Sequence, residues 1–205
     1  MSRLATTYPE AHCELRFSNP FELLIATILS AQCTDKQVNK VTENLFRKYP
    51  TVGDYTTVPV EELENDIRRI GLFRSKARNI QGCCRKLMEE HGGVVPRTMA
   101  ELVSLDGVGR KTANVVLGTG FGINEGIVVD THVARLSLRI GVGLDRGANV
   151  RQIEARLMEL VPKDSWASFS HWLIWHGRRR CTARAPSCLE CEVSEWCHRV
   201  GFTPV

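Results

Sequence analysis

No stretch of this 205-residue sequence is apolar enough to cross a membrane. The longest candidate, Phe21 to Leu29, is interrupted by Glu22 and falls short of the roughly 18 apolar residues that a span needs. The opening residues, MSRLATTYPEAHCEL, contain no apolar core of signal-peptide length. Both absences predict an intracellular chain, whose thiols stay reduced. No segment alternates apolar and polar residues as a half-buried strand does, so no sheet is expected. No GxGxxG spacing occurs, which leaves a dinucleotide site without support. Internal repeats, low-complexity segments and long linkers are also missing. A strong excess of one charge is lacking too: the formal net charge is +4 and the pI about 8.7. That mild basicity does not by itself imply a nucleic-acid partner.

What is present is ordinary soluble composition, 43% hydrophobic and 24% charged. The length suffices for one large domain or two small ones with a real core. The chain reads as helix after helix. Asn19-Pro20 with Glu22 offers an N-cap, a proline at the first helical position and an acid in the first turn. Phe21, Leu24, Ile25, Ile28 and Leu29 then recur at helical spacing. A second helix starts near Thr34, with Val38, Val41 and Leu45 on one face. A third carries Leu63, Ile67 and Ile70 and stops at Gly71. A fourth runs from Ser75 to Gly92-Gly93. A fifth starts at the capping box Thr98-x-x-Glu101 and ends near Leu105. A sixth follows Gly107-Val108-Gly109 and buries Ala113, Val116 and Leu117. A glycine-containing connection, 118–129, ends in the short apolar run Ile127-Val128-Val129. Helices resume after Asp130, from Asn149 and from Ser165. The fold class is all-α.

Charge is uneven along the chain. Arg68, Arg69, Arg74, Lys76, Arg78, Arg85 and Lys86 crowd one region, and Arg178-Arg179-Arg180 form a block. For any one of these the plain reading is a solvated helix face; together they mark candidate contacts to phosphate.

Two constellations carry chemistry. In LDGVGRKTANVV, a Gly-x-Gly turn opens a helix and Lys111 sits in that helix's first turn. The amides of Val108 to Lys111, between Gly107 and Gly109 and on through Arg110, are suited to hold a backbone phosphate without reading sequence. Downstream, Asp130 offers a carboxylate that also suits an N-cap. An amine beside a captured phosphate, with a carboxylate to assist, is the equipment for covalent chemistry on a nucleic-acid backbone. The second constellation is Cys181, Cys188, Cys191 and Cys197, spaced C-x6-C-x2-C-x5-C. Four reduced thiols at that density point to a metal centre. Zinc sites usually pair their cysteines in two CxxC-like knuckles, and only Cys188 and Cys191 form one here. Uneven spacing favours a [4Fe–4S] cluster while leaving zinc open. Several arginines close by in sequence match the anionic charge of such a centre.

With these motifs in view, the chain resembles the endonuclease III family of helix-hairpin-helix DNA glycosylase/AP lyases. The likeness rests on LDGVGRKTANVV, the downstream VDTH and the cysteine quartet, and extends to NPFELLIATILSAQCTD (19–35) and GLFRSKARNI (71–80). It runs from about Tyr8 to Cys197. It implies two helical lobes with DNA between them. One is a six-helix barrel, residues 19–124, that contains the helix-hairpin-helix. The other, residues 1–18 and 125–205, holds a [4Fe–4S] cluster. It implies Lys111 as nucleophile, Asp130 as catalytic carboxylate, and Gln32 and Leu72 as fillers of the gap left by an extruded nucleotide. It implies Arg184, in the cysteine loop, as a phosphate contact. The expected partner is double-stranded DNA with damaged bases or abasic sites, bound by a monomer, with no membrane.

The implied reaction is removal of oxidised pyrimidines followed by β-elimination at the abasic site. Two readings stand beside it. One is a non-catalytic helix-hairpin-helix DNA-binding protein. The other is a monofunctional adenine-type mismatch glycosylase, which usually lacks the nucleophilic lysine. Two features depart from the usual pattern: Asp106 stands where the family generally has proline, and the 118–129 connection is about one residue longer.

Overall fold

The computed structural model describes residues 1–145 and 147–201. All regular structure among the described residues is helical. The chain divides into two compact units, Cys13–Ile123 and a second made of Met1–His12 with the chain from Asn124 onward.

In the second unit a short N-terminal helix, α1 (Ser2–Thr7), contributes Leu4 to the core. The first unit begins with α2 (Pro20–Ser30), where Asn19 accepts a hydrogen bond from the Glu22 amide. Every residue from Leu23 to Leu29 is buried. A helix apolar on all sides belongs at the centre of its unit, and α3 (Asp35–Lys48), α6 (Phe73–His91) and α8 (Arg110–Val115) pack on it. Between these lie α4 (Val52–Thr57), α5 (Val60–Asp66) and α7 (Met99–Ser104). The core gathers Ile25, Leu29, Val38, Leu63, Ile80 and Leu117 with their neighbours. Each such side chain contributes about 1.5–3 kcal/mol by leaving water.

Several boundaries differ from the sequence reading. α4 was not foreseen; Thr51 and Asp54 form its full capping box, yet six residues are too few to display a period. The third expected helix ends at Asp66 rather than Gly71. Ile67 and Ile70 are buried in the turn that follows, so their apolar spacing reports burial and not helical backbone. α6 starts at Phe73, two residues before Ser75, and its N-cap Leu72 supplies no capping side chain. At Thr98 only half of the capping box forms: its hydroxyl accepts from the Glu101 amide and donates to the Glu101 carboxylate. α8 continues into a π-helical turn, Val116–Gly120.

The second unit also contains α9 (Thr131–Ile140), α10 (Val150–Leu160) and α11 (Trp166–Arg179). Its core holds Val133, Leu136, Ile153, Leu157 and Leu173. At Gly177 a Cβ would come within 2.9 Å of His132, so glycine permits α9 and α11 to meet closely. The connection before Asp130 is tied to α11: Asn124 Oδ1 accepts from the Ala167 amide and Ser170 Oγ from the Val128 amide.

Candidate active site and cysteine centre

The turn before α8 is shaped by sterics. Gly107 has φ +75°, and a Cβ there would lie 2.8 Å from the Asn79 Cβ on α6. Both facts demand glycine. Gly109 is different: it is the N-cap of α8 with φ −94°, and a Cβ there would meet nothing within 4 Å. That open face lets another molecule approach the backbone. Val108 is buried, and its amide donates to Leu105 O at 3.1 Å. It therefore anchors the turn and does not offer the free donor expected of it. Outward-facing amides belong to the first turn of α8, from Gly109 through Arg110 to Lys111 and Thr112, because a helix leaves its leading N–H groups without internal acceptors. Lys111 is exposed in that turn, and its ammonium has no hydrogen-bond or ion-pair partner among the described residues.

Asp106 does not leave a bare charge beside the turn. Its Oδ1 accepts from Lys86 Nζ at 2.7 Å, and Lys86 also donates to Ser104 O. A Cβ on Gly82 would lie 2.0 Å from Asp106 Oδ2, so α6 makes room for this carboxylate. Asp130 caps α9 through one oxygen: Oδ1 accepts from the His132 and Val133 amides, each at 2.8 Å. These bonds leave Oδ2 uncommitted. Burial pushes the His132 imidazole below its ordinary value.

Gln32 and Leu72 lie forty residues apart in sequence but side by side in their unit. A Cβ on Gly71 would be 3.7 Å from Gln32 O. Both residues are exposed, and both hold left-handed backbone, φ +54° and φ +59°. For non-glycine residues this conformation is strained.

The four clustered cysteines line one hollow, together with Leu136, Arg139 and His176. Arg139 Nη1 donates to Cys181 Sγ at 3.3 Å and to Thr182 O at 2.7 Å, while its Nη2 donates to Ala183 O. Cys191 Sγ is 3.5 Å from Nε2 of buried His176, whose Nδ1 pairs with the Tyr8 hydroxyl at 2.9 Å. Burial pushes His176 down and Tyr8 up, the latter to about 12 with help from Glu192. No group of three Cys, His, Asp or Glu among the described residues converges as on a single bare ion. The four thiols instead line one shared hollow, and four cysteine thiolates are the donor set of a group with its own iron–sulfur core. Arg184 is exposed on the loop that Arg139 braces.

Sequence reasoning missed Arg139 and His176. It looked to Arg178, Arg179, Arg180, Arg184 and Arg199 for compensating charge. Arg180 pairs with Glu190 and Glu192, each at 2.8 Å, and Arg179 stacks on Trp175 at 3.7 Å. The arginine on Cys181 comes from α9, and no local pattern announced it.

A hairpin of this form, an exposed lysine behind it and a cysteine-lined hollow define a helix-hairpin-helix protein of base-excision type. The family model of the HhH-GPD superfamily base excision DNA repair protein matches residues 25–163. Endonuclease III of Bacillus subtilis (strain 168) is 49% identical over 197 residues, 96% of this chain and 89% of that protein. Endonuclease III of Escherichia coli (strain K12) is 46% identical, over 96% of this chain and 92% of that one. A solved structure, a trapped endonuclease III–DNA covalent intermediate in an estranged-adenine complex, superposes with a TM-score of 0.92 at 51% identity, covering 97% of this chain and 92% of that one. The chain belongs to the endonuclease III family of the HhH-GPD superfamily.

Proposed function

We propose that this chain excises oxidised pyrimidines from duplex DNA and then cleaves the strand at the resulting abasic site, with Lys111 as nucleophile. Base-excision repair by a DNA glycosylase with AP lyase activity is the work of its family. The observation that carries the assignment to Lys111 is its exposed, uncommitted ammonium in the first turn behind Gly107-Val108-Gly109. A damaged base inside a duplex is out of reach, so the nucleotide is first extruded, at least cost where stacking is already weak. The open backbone at Gly109 and the leading amides of α8 hold phosphate. Gln32 and Leu72 fill the vacated space.

Lys111 Nζ, in its neutral form, attacks the sugar C1′. The glycosidic bond breaks, and the base leaves with the bonding electrons and one proton from the attacking amine. The nitrogen lone pair then forms the C1′=N bond of a Schiff base as the C1′–O4′ bond breaks, its electrons and the second amine proton going to O4′. A proton is then lost from C2′. Its electrons form the C2′–C3′ double bond and expel the 3′ phosphate. Asp130, capping α9 with Oδ1, presents Oδ2 for the positive charge that develops on the sugar. Its negative charge is preorganised by the helix start it caps. Cys181, Cys188, Cys191 and Cys197 would hold a [4Fe–4S] cluster, which would cross-link the loop they belong to; Arg139 donates to Cys181 Sγ, and His176 Nε2 lies 3.5 Å from Cys191 Sγ. Arg184 on that loop contacts backbone phosphate. The proposal assigns residues 19–124 to the barrel domain and residues 1–18 with 125–205 to the cluster domain. It has the protein working as a monomer on damaged duplex DNA inside the cell.

Borohydride reduction during turnover tests the assignment. Wild-type protein becomes covalently joined to lesion-containing DNA, and Lys111→Ala loses the adduct while still binding the duplex. Normal trapping by the Ala variant would make another amine the nucleophile.

A further inference from the structure

Lys76 is a lysine in the wrong place for ordinary surface duty. It lies in the first turn of α6, only 4% exposed, and was grouped by sequence with solvated arginines. Its ammonium donates to Leu29 O at 2.9 Å and to Ala31 O at 2.5 Å. Those two carbonyls belong to the last turn and C-cap of α2, where a helix leaves its acceptors unmatched. Gln32, with its strained backbone, is the next residue. On the other side, the Lys76 amide donates to Leu72 O at 3.0 Å, so the same residue closes the first turn behind Leu72.

A buried ammonium is costly, and burial pushes its pKa below the ordinary lysine value. An apolar side chain of the same length would fill the space but leave both carbonyls without a donor. What the ammonium adds is a direct tie between the two strained, exposed positions. Strained backbone persists only where its surroundings over-determine it.

We propose that Lys76 is a positioning residue for the gap-filling pair: from inside its unit it fixes the end of α2 against the start of α6, and so holds Gln32 and Leu72 at the spacing needed to replace an extruded nucleotide. This rests on the reading of Gln32 and Leu72 given above. Lys76 touches neither DNA nor the reacting atoms. Its loss therefore affects substrates that need a filler and spares those that do not.

The test compares two substrates under single turnover. One is an oxidised pyrimidine paired within a duplex. The other is an abasic site in a single strand, where no partner base is left unstacked. Lys76→Met should slow duplex excision about tenfold or more, as sub-ångström to ångström misplacement does. It should leave single-strand elimination within about twofold. Gln32→Ala and Leu72→Ala are run beside it, singly and together, and adding Lys76→Met to that pair should slow duplex excision little further. Equal loss on both substrates, or a Lys76→Met loss that multiplies undiminished onto the Gln32→Ala/Leu72→Ala pair, would show a merely structural lysine and overturn the proposal. If Gln32→Ala slows duplex excision and Lys76→Met does not, the filler reading stands and the role of Lys76 falls. If Gln32→Ala and Leu72→Ala both excise at the wild-type rate, the filler reading falls and takes this proposal with it. Should Lys76→Met lack a cooperative melt, Lys76→Gln carries the test: its amide reaches one carbonyl, and the same duplex-selective loss is expected at smaller size.

Discussion

The hairpin at Lys111 and the cysteine loop are both short, contiguous motifs, yet they are held in opposite ways. The hairpin brings its own core. Leu105 and Val108 are buried on either side of the turn, and Gly107 fits against Asn79 with no room to spare. Between Thr182 and Gly201 the one buried apolar side chain among the described residues is Val193. Leu189 is 91% exposed and Trp196 53%. That loop is held by polar strings from elsewhere: Arg139 and Arg135 on its carbonyls, and the His198 and Val200 amides on Ile140 O and Arg139 O. A motif with a core is set before its ligand arrives. A motif held by polar strings has little burial to resist opening and depends on what it binds.

Removing iron should sharpen that difference most. With the proposed cluster extracted anaerobically, the His198 and Val200 amides should lose exchange protection by about 100-fold or more, since local opening then costs little. The Val108 amide, bonded to Leu105 O, should keep its protection. Unchanged exchange at both sites would mean that the loop stands without a metal centre.

Acid should distinguish the units next. The histidines held below their ordinary values, His132, His171 and His176, all belong to the unit with the cysteines. Burial pushes His171 down to about 4, and neighbouring His12 adds to this. Its folded pKa is lower than its unfolded one, near 6.5, so the unfolded state takes up protons first. The stabilisation is complete above about pH 6.5 and is lost as the pH falls toward 4, on the order of 3 kcal/mol for this group. Denaturant melts at pH 7.5 and 4.5 should show that loss, and His171→Gln should reduce it. An identical pH dependence in the variant would remove His171 as its source.

How much of this was legible depended on the range of the interaction. Helix starts at Asn19, Thr34 and Asn149 could be read because a cap and the amide it accepts from lie within three residues. The hairpin could be read because Gly107, Gly109 and Lys111 are neighbours. Leu72 was placed only by resemblance, and its left-handed backbone had no sequence signal at all, because leucine carries no preference for that conformation. Arg139 donates to a sulfur 42 residues away, and its helix gave no reason to single it out. Val108 was misassigned as a donor since a pattern of glycines shows where amides cluster, not which are already bonded.

The finest test lies within the hairpin, between its two glycines. Gly107→Ala places a methyl group 2.8 Å from the Asn79 Cβ at φ +75°. The left-handed backbone alone costs about 1–2 kcal/mol for a residue with a Cβ, and the clash must displace α6 or the turn. The variant should lose about 2 kcal/mol or more of stability in denaturant melts, in the range of backbone strain and overpacking. Gly109→Ala meets nothing within 4 Å and needs no unusual φ. Its folding cost should stay near that of an ordinary helix-cap change, about 0.5–1 kcal/mol. Yet its methyl occupies the open face where phosphate approaches the backbone, so its loss should show in binding to every duplex, whatever the sequence. The two substitutions thus separate a glycine required by the fold from one required by the ligand. If Gly109→Ala binds abasic duplex as tightly as wild type, that open face is not where the phosphate sits, and the leading amides of α8 must meet it from another side.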